Sequence, residues 1–233
     1  MSDTVAEIWQ ALEKLEKPTL GTLFADPARV ADWSTRLDLP GGAIRFDWSK
    51  THLDAAHAAQ FDALADAVGF KVKRGAMFAG EVINVTEHRA VEHTALRGIG
   101  RDTSVEEATA LHLRMKSLVE AIHAGALGEV KHLIHIGIGG SALGPALAID
   151  ALTRDGAKVD VQIVSNIDGC ALEAAFAKCD PATTLIAVAS KTFTTTETMT
   201  NADSALNWLR ENGVGDPYGR VVALTASPDK AVD

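Results

Sequence analysis

The stretch TTLIAVASKTFTTTETMTNA, residues 183–202, decides how this chain folds. TLIAVA, 184–189, is an uninterrupted apolar run of strand length, the pattern of a strand buried on both faces. A helix is expected to begin near Thr195 or Thr196, because Met199, Ala202, Leu206 and Leu209 recur at helical spacing. Between strand and helix the chain places Ser190, Lys191, Thr192, Thr194, Thr195, Thr196 and Thr198. A core strand running straight into a hydroxyl-rich turn and a helix is the unit from which parallel α/β sheets are built.

The same rhythm extends to both sides. VKHLIHIGI (130–138), VDVQIVSNI (159–167) and RVVALTA (220–226) are further apolar runs, separated by helix-like segments at 142–153, 170–178 and 196–211. Residues 126–233 therefore read as an α/β, doubly wound parallel sheet. Residues 1–125 read mainly as helices packed around it. Ile8, Leu12 and Leu15 keep helical spacing up to Pro18, and Leu53, Ala56, Gln60/Phe61, Leu64 and Val68 repeat it with a capping pair, Thr51 and Asp54. Residues 104–124 carry the clearest stripe, with Ser104 and Glu107 expected to form a capping box and Gly125 to end the helix. VINVTEH (82–88) is expected to form a short strand. Only SPDKAVD follows the fourth strand. That leaves one sheet face without a covering helix, so either another chain covers it or the sequence is the front part of a longer protein.

Composition narrows the function classes. Hydrophobic residues at 47% and charged residues at 23% fit a globular protein rather than a disordered one. The net charge is −9 and no Lys/Arg run exists, which argues against nucleic acid. An anionic ligand would need a strong local site. Cys170 and Cys179 form no C-x-x-C pair, and the low cysteine count suits a reducing compartment. MSDTVAEIWQALEKLEK lacks a signal-peptide core, so a cytoplasmic protein with no membrane partner is expected.

Ligands of open α/β sheets bind beyond the carboxyl ends of the strands. Two unusual turns fall there. GIGGSALGP, 137–145, offers Gly139 and Gly140 for close backbone approach, the Ser141 hydroxyl, and Pro145 in the first turn of the next helix. SKTFTTTET, 190–198, offers hydroxyls, the Lys191 charge and another helix start. Helix N-termini favour anions, and a phosphate dianion can accept from all these donors. The bland alternatives are helix capping by the Ser/Thr hydroxyls and tight strand–helix packing at Gly139-Gly140. A rival reading sees Gly137, Gly139 and Ala142 as a dinucleotide fingerprint, but its acidic partner, Asp168, stands late, in an NIDG turn.

The motifs IGIGGSALGP and SKTFTTTETMTNA resemble the two signatures of the glucose-6-phosphate isomerase (phosphoglucose isomerase) family. MFAGEVINVTEHRAVEHTALR (77–97) and VSNIDG (164–169) are similar to two more of its segments, and the likeness runs from about residue 45 to about residue 225. The resemblance implies a flavodoxin-like sugar isomerase fold, with 126–233 as the first such domain, truncated at its C-terminal end. It implies reversible conversion of glucose 6-phosphate and fructose 6-phosphate through a cis-enediol, without a cofactor, in a homodimer. It makes Ser190, Lys191, Thr192 and Thr195 phosphate ligands, with Thr194 in the same cluster. Gly140 and Ser141 contact the substrate from the other side.

The family's glutamate base, its arginine and its ring-opening histidine and lysine are expected beyond residue 233, so no catalytic residue is assigned here and the chain alone is expected to be inactive. Ala142 stands where the family usually has Asp, and Thr196 where Gln is common. Glu197 is a possible substrate contact, though an acid in a first helical turn also serves the dipole. His88 and His93 lack H-E-x-x-H spacing, while His132 and His135 would point to opposite faces of a strand; all four read as structural or surface residues, and no metal site is expected. A non-catalytic sugar-phosphate-binding module on the same fold is the alternative.

Overall fold

A computed structural model describes residues 3–232; Met1, Ser2 and Asp233 lie outside the described residues. The chain divides into two compact units, Met1–Ala110 and Leu111–Asp233.

The first unit is helical with one hairpin. Its elements are α1 (Asp3–Glu13), α2 (Leu20–Leu23), α3 (Arg29–Asp32), β1 (Ser34–Leu39), β2 (Gly42–Asp47), α4 (Ala55–Ala67) and α5 (Phe70–Phe78). Asp54 caps α4, accepting from the backbone N–H groups of Ala56 and His57. The Thr51 hydroxyl donates elsewhere, to the Trp48 carbonyl. The antiparallel hairpin β1–β2 is an addition to the mainly helical expectation. Leu37 and Leu39 alternate on β1, Ile44 and Phe46 alternate on β2, and Pro40-Gly41 turns the chain with Gly41 at φ +88°. VINVTEH forms no strand; Asn84 and Arg89 make one isolated antiparallel bridge.

Helix α6 (Asp102–His123) starts two residues before the expected capping box. Ser104 thus sits inside the helix, and its hydroxyl donates to the Glu92 carboxylate at 2.9 Å. Glu92 also accepts from the Arg101 guanidinium at 2.7 Å. A distant acid therefore does the work expected of Glu107. Gly125 follows the helix at φ +79°, the left-handed conformation of a helix end.

The second unit holds β3 (His132–Gly137), α7 (Gly140–Leu152), β4 (Asp160–Val164), α8 (Gly169–Phe176), β5 (Thr184–Ala189), α9 (Thr196–Glu211) and β6 (Val221–Leu224). The strands form one sheet in the order β4-β3-β5-β6, and every pair is parallel. Ile134 and Ile136 of β3 pack with Ile186 and Val188 of β5 beneath α8 and α9, through Leu172, Ala205 and Leu209. The alternate residues His135 and Gly137 face α7 instead. Helices on both faces make the sheet doubly wound, and all six residues of β5 are buried. Edge strand β6 is half open, with Leu224 exposed. A groove of about 700 Å³ lies beside it, lined by Ile186, Val188, Phe193, Met199, Tyr218 and Val221. Among the described residues, no helix is long and apolar enough to cross a membrane.

Candidate functional site

The order β4-β3-β5-β6 reverses direction between β3 and β5, because β3 connects to β4 on one side and the chain then returns to β5 on the other. Ligand crevices of open α/β sheets form at such a reversal. Register brings the two unusual turns together there: Gly137 stands opposite Ala189, and each is the last residue of its strand. The glycine turn 138–141 and the hydroxyl turn 190–195 therefore leave the sheet side by side.

The glycine turn is open where a ligand would need it. Gly139 takes φ +59° and ψ −123°, a conformation that glycine adopts far more readily than other residues. A Cβ on Gly139 or Gly140 would meet nothing within 4 Å. Tight packing is instead the task of Gly137, whose absent side chain admits the Ser141 and Ala189 carbonyls. Among the described residues, no backbone carbonyl outside the helix accepts from the Gly139 or Gly140 N–H. Gly140 and Ser141 are the first two residues of α7, and Ser141 is half-buried. Pro145 lies inside α7, not in its first turn, because the helix starts earlier than expected. Ala142 is fully buried.

In the hydroxyl turn, Ser190 is buried and its N–H donates to the Leu224 carbonyl, tying the turn to β6. The Ser190 and Thr195 hydroxyls lie 3.2 Å apart, and those of Thr192 and Thr194 lie 2.8 Å apart. Thr195 occupies the N-cap position of α9, yet its side chain makes no capping bond. Capping thus does not account for this hydroxyl, and the first N–H groups of α9 stay uncapped by it. Lys191 is exposed, with its carbonyl accepting from Ala226 N–H, and its ammonium pairs with no carboxylate among the described residues. Glu197 is exposed in the first turn of α9, where it meets the positive end of the helix dipole. Phe193 takes φ +53°, unusual for a side chain of its size, while its ring packs against the core. The ring anchors the turn so that Thr192 and Thr194 stay at the surface.

Two contacts were not legible in the motifs. Asn201 of α9, buried, donates from Nδ2 to the Asn166 carbonyl at 2.8 Å, fixing the turn after β4. His135, buried on β3, reaches the Ser141 carbonyl at 2.6 Å. The spacing of His135 placed it on one strand face without revealing what lay opposite. Asp168 caps α8 through the Cys170 N–H, so its carboxylate is already engaged locally.

A family model described as phosphoglucose isomerase matches residues 47–233. The glucose-6-phosphate isomerase of Novosphingobium aromaticivorans is 71% identical over 233 residues, covering 99% of this chain and 46% of that protein. That of Zymomonas mobilis is 54% identical over 223 residues, covering 96% of this chain and 43% of that protein. A crystal structure of a glucose-6-phosphate isomerase from Chlamydia trachomatis superposes with a TM-score of 0.77 at 22% identity, over 96% of this chain and 44% of that one, a likeness of fold. The chain spans about half the length of the curated relatives it matches. Since the matched stretch contains both turns and the whole parallel sheet, this chain belongs to the phosphoglucose isomerase family.

Proposed function

We propose that this chain carries the phosphate-binding half of a glucose-6-phosphate isomerase site, with residues 126–233 as its first sugar isomerase domain. The observation that carries the reading is Thr195, a threonine at a helix start whose hydroxyl leaves the helix uncapped and turns to Ser190 instead. Ser190, Lys191, Thr192, Thr194 and Thr195 would donate to the phosphate oxygens of glucose 6-phosphate or fructose 6-phosphate. Gly140 and Ser141 would hold the substrate from the neighbouring strand end, and Glu197, exposed in the first turn of α9, would be a further contact. Phosphate held remote from C1 and C2 positions those carbons for reaction.

The reaction moves one proton between C2 and C1 through a cis-enediol and needs no cofactor. The base for that transfer would come from the part of the family's length that this chain does not span, so the isolated chain would bind substrate without turning it over. In the whole protein the activity belongs to a cytoplasmic homodimer. A stand-alone sugar-phosphate-binding module is the second reading, supported by the same uncapped turn.

A phosphorus NMR titration of fructose 6-phosphate with the 233-residue chain tests this directly. The phosphate signal shifts or broadens and no glucose 6-phosphate accumulates. Lys191→Ala weakens binding by about tenfold or more, the value of a charge-assisted hydrogen bond. Growth of a glucose 6-phosphate signal would place a competent base in this half. An unperturbed phosphate signal would reduce the hydroxyls to a solvated turn.

A further inference from the structure

We infer that His135 is a positioning residue for the glycine turn: its imidazole N–H holds the Ser141 carbonyl, which Pro145 deprives of its helical partner. In an α-helix the carbonyl of one residue accepts from the N–H four residues later. For Ser141, the second residue of α7, that residue is Pro145, which has no N–H and whose ring crowds the carbonyl four residues before it. The Ser141 oxygen is therefore turned out of the helix.

It meets His135, buried on the central strand at 5% exposure, with Nε2 2.6 Å from the oxygen. A carbonyl only accepts, so Nε2 carries the proton. Two residues along the same strand face, Gly137 completes the seat. Its missing Cβ leaves room for that oxygen, which would stand 3.0 Å from a side chain there. One strand thus grips the Ser141 backbone at two successive positions. Ala142 and Leu143 both donate to the Gly139 carbonyl, so the turn is closed from its other side. With both sides fixed, the Gly139 and Gly140 N–H groups have one direction in which to point.

The consequence for ligand binding rests on the proposed phosphate site, whereas the linkage of His135, Ser141 and Pro145 does not. A set of variants separates the two. Nitrogen-15 spectra of the unmodified chain show the His135 ring protonated at Nε2. His135→Leu moves the Gly139 and Gly140 amide resonances and weakens fructose 6-phosphate binding about tenfold, the worth of one buried hydrogen bond. Adding Pro145→Ala to His135→Leu supplies a helical N–H to the same carbonyl and restores both readouts. Pro145→Ala alone leaves affinity nearly unchanged. His135→Gln, which can present an N–H near the same place, keeps affinity within about threefold.

A merely structural histidine would not be rescued by a proline four residues beyond its partner. Failure of Pro145→Ala to rescue, unmoved Gly139 and Gly140 amides, or a ring unprotonated at Nε2 would each overturn the assignment. The ring spectrum decides it even if His135→Leu does not fold. Should the unmodified chain bind no fructose 6-phosphate, the phosphate reading falls, while the amide shifts and their rescue still decide the role of His135.

Discussion

Gly137 shows how much of the site depends on single atoms. A Cβ at this position would stand 3.0 Å from the Ser141 carbonyl oxygen and 3.1 Å from that of Ala189. Both are backbone atoms, one in the helix start and one in the adjoining strand, so neither can swing aside as a flexible side chain would. Gly137→Ala is expected to cost about 1–3 kcal/mol, the usual range for forcing an extra methyl into a packed interior. A urea titration would measure it, and an unchanged midpoint would show that the β3–α7 contact accommodates a methyl group without cost. Reading the sequence singled out Gly139 and Gly140 for two reasons, ligand approach and tight packing. The structure divides these tasks: Gly137 packs, while Gly139 and Gly140 face open space. Phe193 was invisible for a similar reason. Counting hydroxyls around it shows donors, but nothing in their pattern reveals a left-handed backbone held by a ring in the core.

Among the elements, the strands and helices of the second unit were the most legible. β5 and α9 begin and end where their apolar patterns do, because a buried strand and a one-sided helix leave clear periods. The hairpin β1–β2 was missed although its signal is present: Leu37, Leu39, Ile44 and Phe46 alternate around Pro40-Gly41. Those side chains are all exposed, and a strand pair that serves no core is easily absorbed into neighbouring helices. The start of α6 was misplaced because its partner, Glu92, lies twelve residues before Ser104. That partner predicts an acid response. Hydrogen bonds from Arg101, then from Ser104, hold the Glu92 carboxyl at about 2 against an ordinary 4.5. A carboxyl depressed by folding stabilises above its unfolded value and loses that contribution as pH falls from 4.5 through about 2. Glu92→Gln, which removes the charge, should therefore flatten part of the acid side of the stability curve. Urea midpoints at neutral pH and again near the lower value check this against the unmodified chain. Parallel acid slopes would mean that the Glu92–Arg101 pair, largely open to solvent on its arginine side, contributes nothing measurable.

At the scale of the whole molecule, the family was legible because its two turns are contiguous in sequence, whereas the grip of His135 on Ser141 depends on strand and helix meeting in space. What neither turn reveals is how much apolar surface the chain leaves open. Helix α7 is apolar on nearly every side, a pattern typical of a helix buried all round. Its Leu143 and Leu147, one turn apart, are nevertheless 73% and 72% exposed. The hairpin in the first unit presents Leu37, Ile44 and Phe46 in the same way. Exposed patches of this kind drive dye binding and association in water. The isolated chain should therefore bind an apolar fluorescent dye in its folded state and associate as its concentration rises. Leu143→Gln with Leu147→Gln should lower both, while leaving the fructose 6-phosphate titration unchanged, because both side chains lie on α7 beyond residues 138–141 and point to open solvent. Ultracentrifugation and dye fluorescence on the same samples would read the two effects. If the double variant behaves like the unmodified chain, the outer face of α7 is not where association begins, and the hairpin becomes the surface to alter next.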